Sequence, residues 1–64
     1  MLVNGKEMNF KDGITIEELL NELKIEAYKV VAEVDLNIVD KEEYAVTKLT
    51  SNSKVELIRF VGGG

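Results

Sequence analysis

Met1-Leu2-Val3-Asn4-Gly5-Lys6-Glu7-Met8-Asn9-Phe10 opens the chain, and the Asn4-Gly5 pair at its centre decides how the rest is read. Both residues tolerate the positive φ that a type I′ turn requires, so the runs on either side fold back on each other as an antiparallel hairpin. Alternation then places Met1 and Val3 on the same face as Met8 and Phe10. Asp12-Gly13 breaks the second strand.

Downstream, the hydrophobic period changes from two to 3.6. Thr15 is a good N-cap, and Glu18 three residues later completes a capping box. Ile14 and Leu19 occupy the two positions of a hydrophobic staple. Ile16, Leu19, Leu20 and Leu23 fall at i, i+3, i+4 and i+7 and form one apolar stripe. Glu17 and Glu18 suit the positive end of the helix dipole, and the helix is expected to end near Leu23 or Lys24. A helix this short, with a stripe this narrow, needs a sheet to cover it.

Val30-Val31-Ala32-Glu33-Val34 reads as a strand by its β-branched content, with Asp35-Leu36-Asn37 as its turn. Ile38-Val39 can pair briefly, and Asp40 to Tyr44 suits one helical turn. Ala45 to Thr50 is weakly extended. Ser51-Asn52-Ser53 is a turn, and Lys54-Val55-Glu56-Leu57-Ile58-Arg59-Phe60 is the final strand. A hairpin, a crossover helix and later strands in one sheet give an α+β roll of the β-grasp plan. The expectation is a mixed sheet of four to five strands with one main helix on one face. Val3, Met8, Ile16, Leu19, Leu20, Leu23, Val30, Ala32, Val55 and Leu57 are the expected core.

Composition excludes several function classes. At 64 residues the chain is one small domain. It has no Cys and no His. Disulfide staples, thiolate chemistry, the usual general base and the commonest metal ligands are therefore absent, and neither a catalytic residue nor a metal site is expected. A formal net charge of −4 opposes binding to nucleic acid or to an anionic membrane. No apolar run approaches the roughly 20 residues of a spanning helix, and no secretory signal opens the chain. A cytoplasmic monomer that meets a basic or apolar protein partner is the expectation left.

The chain ends Phe60-Val61-Gly62-Gly63-Gly64, with three glycines directly after the last strand. Residues 1–61 are read as the domain and 62–64 as a flexible tail. With no Cβ, the tail can adopt backbone angles closed to other residues and can thread a narrow channel. Its last distinct chemical group is the Gly64 carboxylate. Presentation of that carboxylate to another enzyme competes with a plain frayed terminus, the common fate of chain ends.

A second candidate site lies on the last strand. If Val55 and Leu57 face the helix, Glu56, Ile58 and Phe60 face outward. Ile58 and Phe60, with Val61, would then form an apolar docking patch beside the tail, unless the sheet bends and buries them. Arg59 shares the parity of Leu57 and belongs at the sheet's rim. The acidic residues Glu17, Glu18, Glu22, Glu26, Asp40, Glu42 and Glu43 either steer a basic partner or simply solvate the surface.

A domain of this length that opens with Val3-Asn4-Gly5-Lys6 and closes with Val55-Glu56-Leu57-Ile58-Arg59-Phe60-Val61-Gly62-Gly63-Gly64 resembles the thiamine-biosynthesis sulfur carriers. These belong to the ubiquitin-like ThiS/MoaD group, with the small subunit of molybdopterin synthase and the ubiquitin-related modifiers. The resemblance covers the whole chain, and the terminal glycines after the last strand are its specific part. It implies that a ubiquitin-activating-type adenylyltransferase uses ATP to adenylate Gly64, with Gly62 and Gly63 threading the partner's active site. A sulfur donor such as a cysteine desulfurase then supplies sulfur to make a Gly64 thiocarboxylate, and thiazole synthase or another acceptor takes it. The chemistry is sound: a free carboxylate is a poor acyl donor, and the mixed anhydride with AMP provides the leaving group. The domain would bind no cofactor and would serve as a protein co-substrate. The same tail also suits a ubiquitin-like modifier conjugated through Gly64, or a carrier for molybdopterin, tRNA thiolation or cysteine formation. A non-covalent β-grasp adaptor is the remaining alternative.

Overall fold

The computed structural model describes residues 1–60, whose pairing begins at the Asn-Gly turn. Asn4 and Gly5 have φ of 52° and 80°, and they join strand β1 (Leu2–Val3) to β2 (Lys6–Glu7) in antiparallel register. β2 is shorter than the run Lys6–Phe10 expected from alternation. The Met8 N–H still donates to the Met1 carbonyl at 2.9 Å, but β1 offers no residue to pair with Asn9 or Phe10. Phe10 leaves the sheet and packs half-buried against the core.

Helix α1 (Ile16–Glu22) starts as its caps dictate. The Thr15 hydroxyl accepts from the Glu18 N–H at 3.1 Å, and the Glu18 carboxylate accepts from the Thr15 N–H at 2.9 Å. The Ile16 and Glu17 N–H groups, which no intrahelical carbonyl can reach, donate to the Thr47 and Tyr44 carbonyls. At the other end, the Ile25 N–H returns to the Leu20 carbonyl and the Lys24 N–H to the Asn21 carbonyl. This is a Schellman closure with Lys24 at φ 59°, a position that favours glycine.

A 3₁₀ turn (Ala27–Lys29) leads into β3 (Val30–Val34), and Asp35-Leu36 turns the chain into β4 (Asn37–Val39). Asn37 is thus part of the strand and not of the turn. A second 3₁₀ turn (Lys41–Glu43) follows, then β5 (Lys54–Arg59). The sheet order is β2-β1-β5-β3-β4. β5 runs parallel to β1, and the other neighbours are antiparallel. This is the mixed five-stranded β-grasp sheet with one main helix.

Met1, Val3, Ile16, Leu19, Leu20, Val30, Ala32, Tyr44, Leu49, Val55 and Leu57 form one buried cluster. Met8 and Leu23, expected inside, are half-buried at its margin. Tyr44 and Leu49 were not expected. The stretch before β5 is tied to the start of the helix by a Thr15–Lys48 bridge and by paired backbone bonds between Gly13, Ile14 and Leu49. That seam carries Leu49 to full burial.

Candidate functional site at the base of the tail

β5 ends at Arg59, one residue before the last described one, and its neighbours fix that end. Five residue pairs tie it to β3, from Val34↔Val55 to Val30↔Arg59. On its other side β1 reaches only Lys54 and Val55. The Asn4 side chain extends that edge by one bond, accepting from the Leu57 N–H at 2.7 Å. The Phe60 N–H donates to the Lys29 carbonyl at 3.1 Å, which fixes the backbone at the last described residue.

Along β5 the parity is as expected: Val55 and Leu57 are buried, while Glu56 and Ile58 are exposed. Ile58 is 50% exposed and Phe60 58%, so both present apolar surface to solvent. Ile58 lies opposite Val31, and on the next strand Ile38, opposite Glu33, is also exposed. The outer face therefore carries Val31 and Ile38 beside Ile58, two residues that the sequence reading did not include. The parity of Val31 against buried Ala32 was the signal that would have found the first. Ile38 could not be placed until its register with β3 was known.

Basic residues surround the same point. The Lys41 ammonium stands 5.5 Å from the centre of the Phe60 ring, a cation–π contact. Lys24, Ile25, Glu26, Lys29, Arg59 and Phe60 line a shallow cleft at the end of β5. Lys29 pairs with Glu26 at 2.9 Å. That hydrogen bond and the attraction behind it hold the Glu26 carboxyl below its ordinary range and raise Lys29. Lys24, Lys41 and Arg59 form no ion pair among the described residues. Four of the chain's eight basic residues thus gather where the tail begins, in a molecule of net charge −4.

Val61, Gly62, Gly63 and Gly64 lie outside the described residues, as does the expected flexibility of the tail. Among the described residues no three metal-ligating side chains come together. No helix among them is long and apolar enough to cross a membrane. What the arrangement does is hold Phe60, the last described residue, between an apolar face and a basic rim.

The ThiS family profile matches residues 1–64. The sulfur carrier protein ThiS of Bacillus subtilis is 36% identical over 63 residues, covering 97% of this chain and 96% of its own length. A thiazole synthase of Paramagnetospirillum magneticum is 41% identical over 64 residues, and there the chain spans only 20% of the relative. Among solved structures, the thiamine biosynthesis protein ThiS from Geobacter metallireducens superposes with a TM-score of 0.81 at 30% identity, over 98% of this chain and 96% of that one. With the roll, the hairpin and the glycine ending matched along its whole length, the chain belongs to the ThiS family.

Proposed function

We propose that this chain is a sulfur carrier for the thiazole ring of thiamine, with the Gly64 carboxylate as its working group. The observation that carries this is the full-length family match joined to a Gly62-Gly63-Gly64 ending that directly follows the last strand. It is a carrier and not a catalyst. It acts as co-substrate of a ubiquitin-activating-type adenylyltransferase in the cytoplasm: ATP activates Gly64, pyrophosphate leaves, and hydrosulfide displaces AMP to give the thiocarboxylate. A cysteine desulfurase is a fitting source of that sulfur when a thiol reductant is present: its persulfide would displace AMP to form an acyl disulfide at Gly64, and the thiol would then cleave the S–S bond to release the thiocarboxylate.

Gly62 and Gly63 thread the partner's channel because a side chain there would widen the tail and restrict its backbone. Ile58, Phe60 and Val61 form the apolar face against which the partner closes. Thiazole synthase is the acceptor supported by the relatives: a domain 41% identical to this chain occurs within a protein of that name. Incubation with ATP, sulfide and the activating enzyme should add about 16 Da to the intact mass, one oxygen exchanged for sulfur. A ladder of high-mass adducts would instead identify a protein modifier, and an unchanged mass an adaptor.

A further inference from the structure

We infer that the basic rim of Lys24, Lys41 and Arg59 is a docking surface for acidic side chains at the mouth of the activating enzyme's channel. This rests on the sulfur-carrier assignment and adds to it a partner surface of stated chemistry.

Chain geometry makes the contact unavoidable. The four residues from Val61 to Gly64 reach at most about 13–14 Å when fully extended. Whatever adenylates Gly64 must therefore come within that distance of Phe60, and the residues around Phe60 are covered in the complex. Extended, the tail sets the Gly64 carboxylate, and the polyphosphate it must meet, up to about 13–14 Å from Phe60, so the rim would meet protein side chains at the channel's mouth.

The sign of the charge selects those side chains. Lys24 and Arg59 line the cleft at the end of β5 with Phe60, and Lys41 stands over its ring. All three are exposed and without an ion pair among the described residues. Glu26, the one acid in that cleft, is already engaged by Lys29. An exposed positive rim on a protein of net charge −4 orients the molecule tail-first towards a negative opening. Adenylation is the step that most needs this, because there an anionic carrier must bring a carboxylate to a polyphosphate. Lys24 sits in the left-handed conformation at φ 59°, where glycine would be easier.

The experiment is ATP–pyrophosphate exchange by the cognate activating enzyme, with the full chain as variable substrate, at low salt and at about 0.5 M salt. Single and combined Lys24→Glu, Lys41→Gln and Arg59→Glu variants are compared with Lys6→Glu, a charge change at the far edge strand. The combined rim variant is expected to raise KM about tenfold or more at low salt while kcat stays within about twofold, since the chemistry is remote from the rim. High salt should close most of the gap, and Lys6→Glu should leave KM near the parent value. Lys24→Gly separates docking from folding, because it should melt no lower than the parent and still raise KM.

Equal KM for rim variants and parent would overturn the inference while leaving the carrier assignment intact. So would an equal rise in Lys6→Glu, which would mean that only net charge matters, or a fall in kcat at constant KM. A parent chain that supports no exchange overturns the carrier assignment and the rim's role with it.

Discussion

Tyr44 shows how much one side chain settles that its neighbours in sequence conceal. It follows Lys41-Glu42-Glu43, a charged stretch that reads as solvated surface, yet it is 3% exposed. β4 stops with Val39 opposite Ala32, so the strand no longer covers the adjoining backbone of β3. The Tyr44 hydroxyl takes that place: it accepts from the Ala32 N–H at 2.9 Å and reaches the Val30 carbonyl at 3.4 Å. Tyr44→Phe keeps the ring and leaves both backbone groups without that partner. It should lower stability by about 1–3 kcal/mol in urea titrations with an unchanged m-value, and a loss near zero would mean that water replaces the hydroxyl. No local pattern announces such a role, because it depends on where a neighbouring strand ends. Leu49 was hidden for a related reason: its burial comes from pairing with the loop before α1, 35 residues earlier in the chain at Ile14. The Asn4-Gly5 turn was legible because its conformation is decided by the two residues themselves.

Strands and helices divide along the same line. Helix α1 was legible almost to its last residue, since the capping box and staple are written within six consecutive positions. β5 was legible in its inward and outward parity, but the strands beside it were not. The parallel pairing of β1 with β5 brings together residues more than fifty positions apart. That pairing register also exposes a cost: Glu33 and Glu56 stand directly opposite each other on neighbouring strands, and neither has an ion pair among the described residues. Like charges in that position repel, so Glu56→Thr should raise stability by about 0.2–1 kcal/mol at low salt and by less at high salt. A loss of stability at low salt would show that the two carboxylates point apart. The β3–β4 turn has a second local misfit. Leu36 lies at φ 72° and is 87% exposed, so Leu36→Gly relieves the backbone at little packing cost. Its melting temperature should match or exceed that of the parent in a thermal scan.

At the scale of the molecule, the proposed carrier function would place folding and chemistry in separable parts of the chain. With no disulfide available, stability rests on the cluster of eleven buried apolar residues found among the described residues. Leu20 is 1% exposed within it, and Leu20→Ala should cost about 2–5 kcal/mol, a large share of the stability of a domain this size. The tail lies beyond the last strand and offers that core no side chain. Gly63→Val, or loss of Gly64, should therefore leave the thermal melt within about 0.5 kcal/mol of the parent. The chemistry should fail nonetheless. Val adds a β-branched side chain that stiffens and widens the thread, and deleting Gly64 draws the carboxylate back by about 3.3–3.6 Å, far outside the tolerance of positioned acyl activation. Intact mass after incubation with ATP, sulfide and the activating enzyme, read alongside melts of all three variants, separates the two effects. Leu20→Ala should still gain the sulfur wherever it remains folded, whereas the tail variants should stay unloaded at temperatures where they are fully native. A Gly64 deletion that loads sulfur as well as the parent would show that the activated carboxylate need not stand at position 64, whereas a parent chain whose mass stays unchanged would put a non-covalent adaptor in the carrier's place.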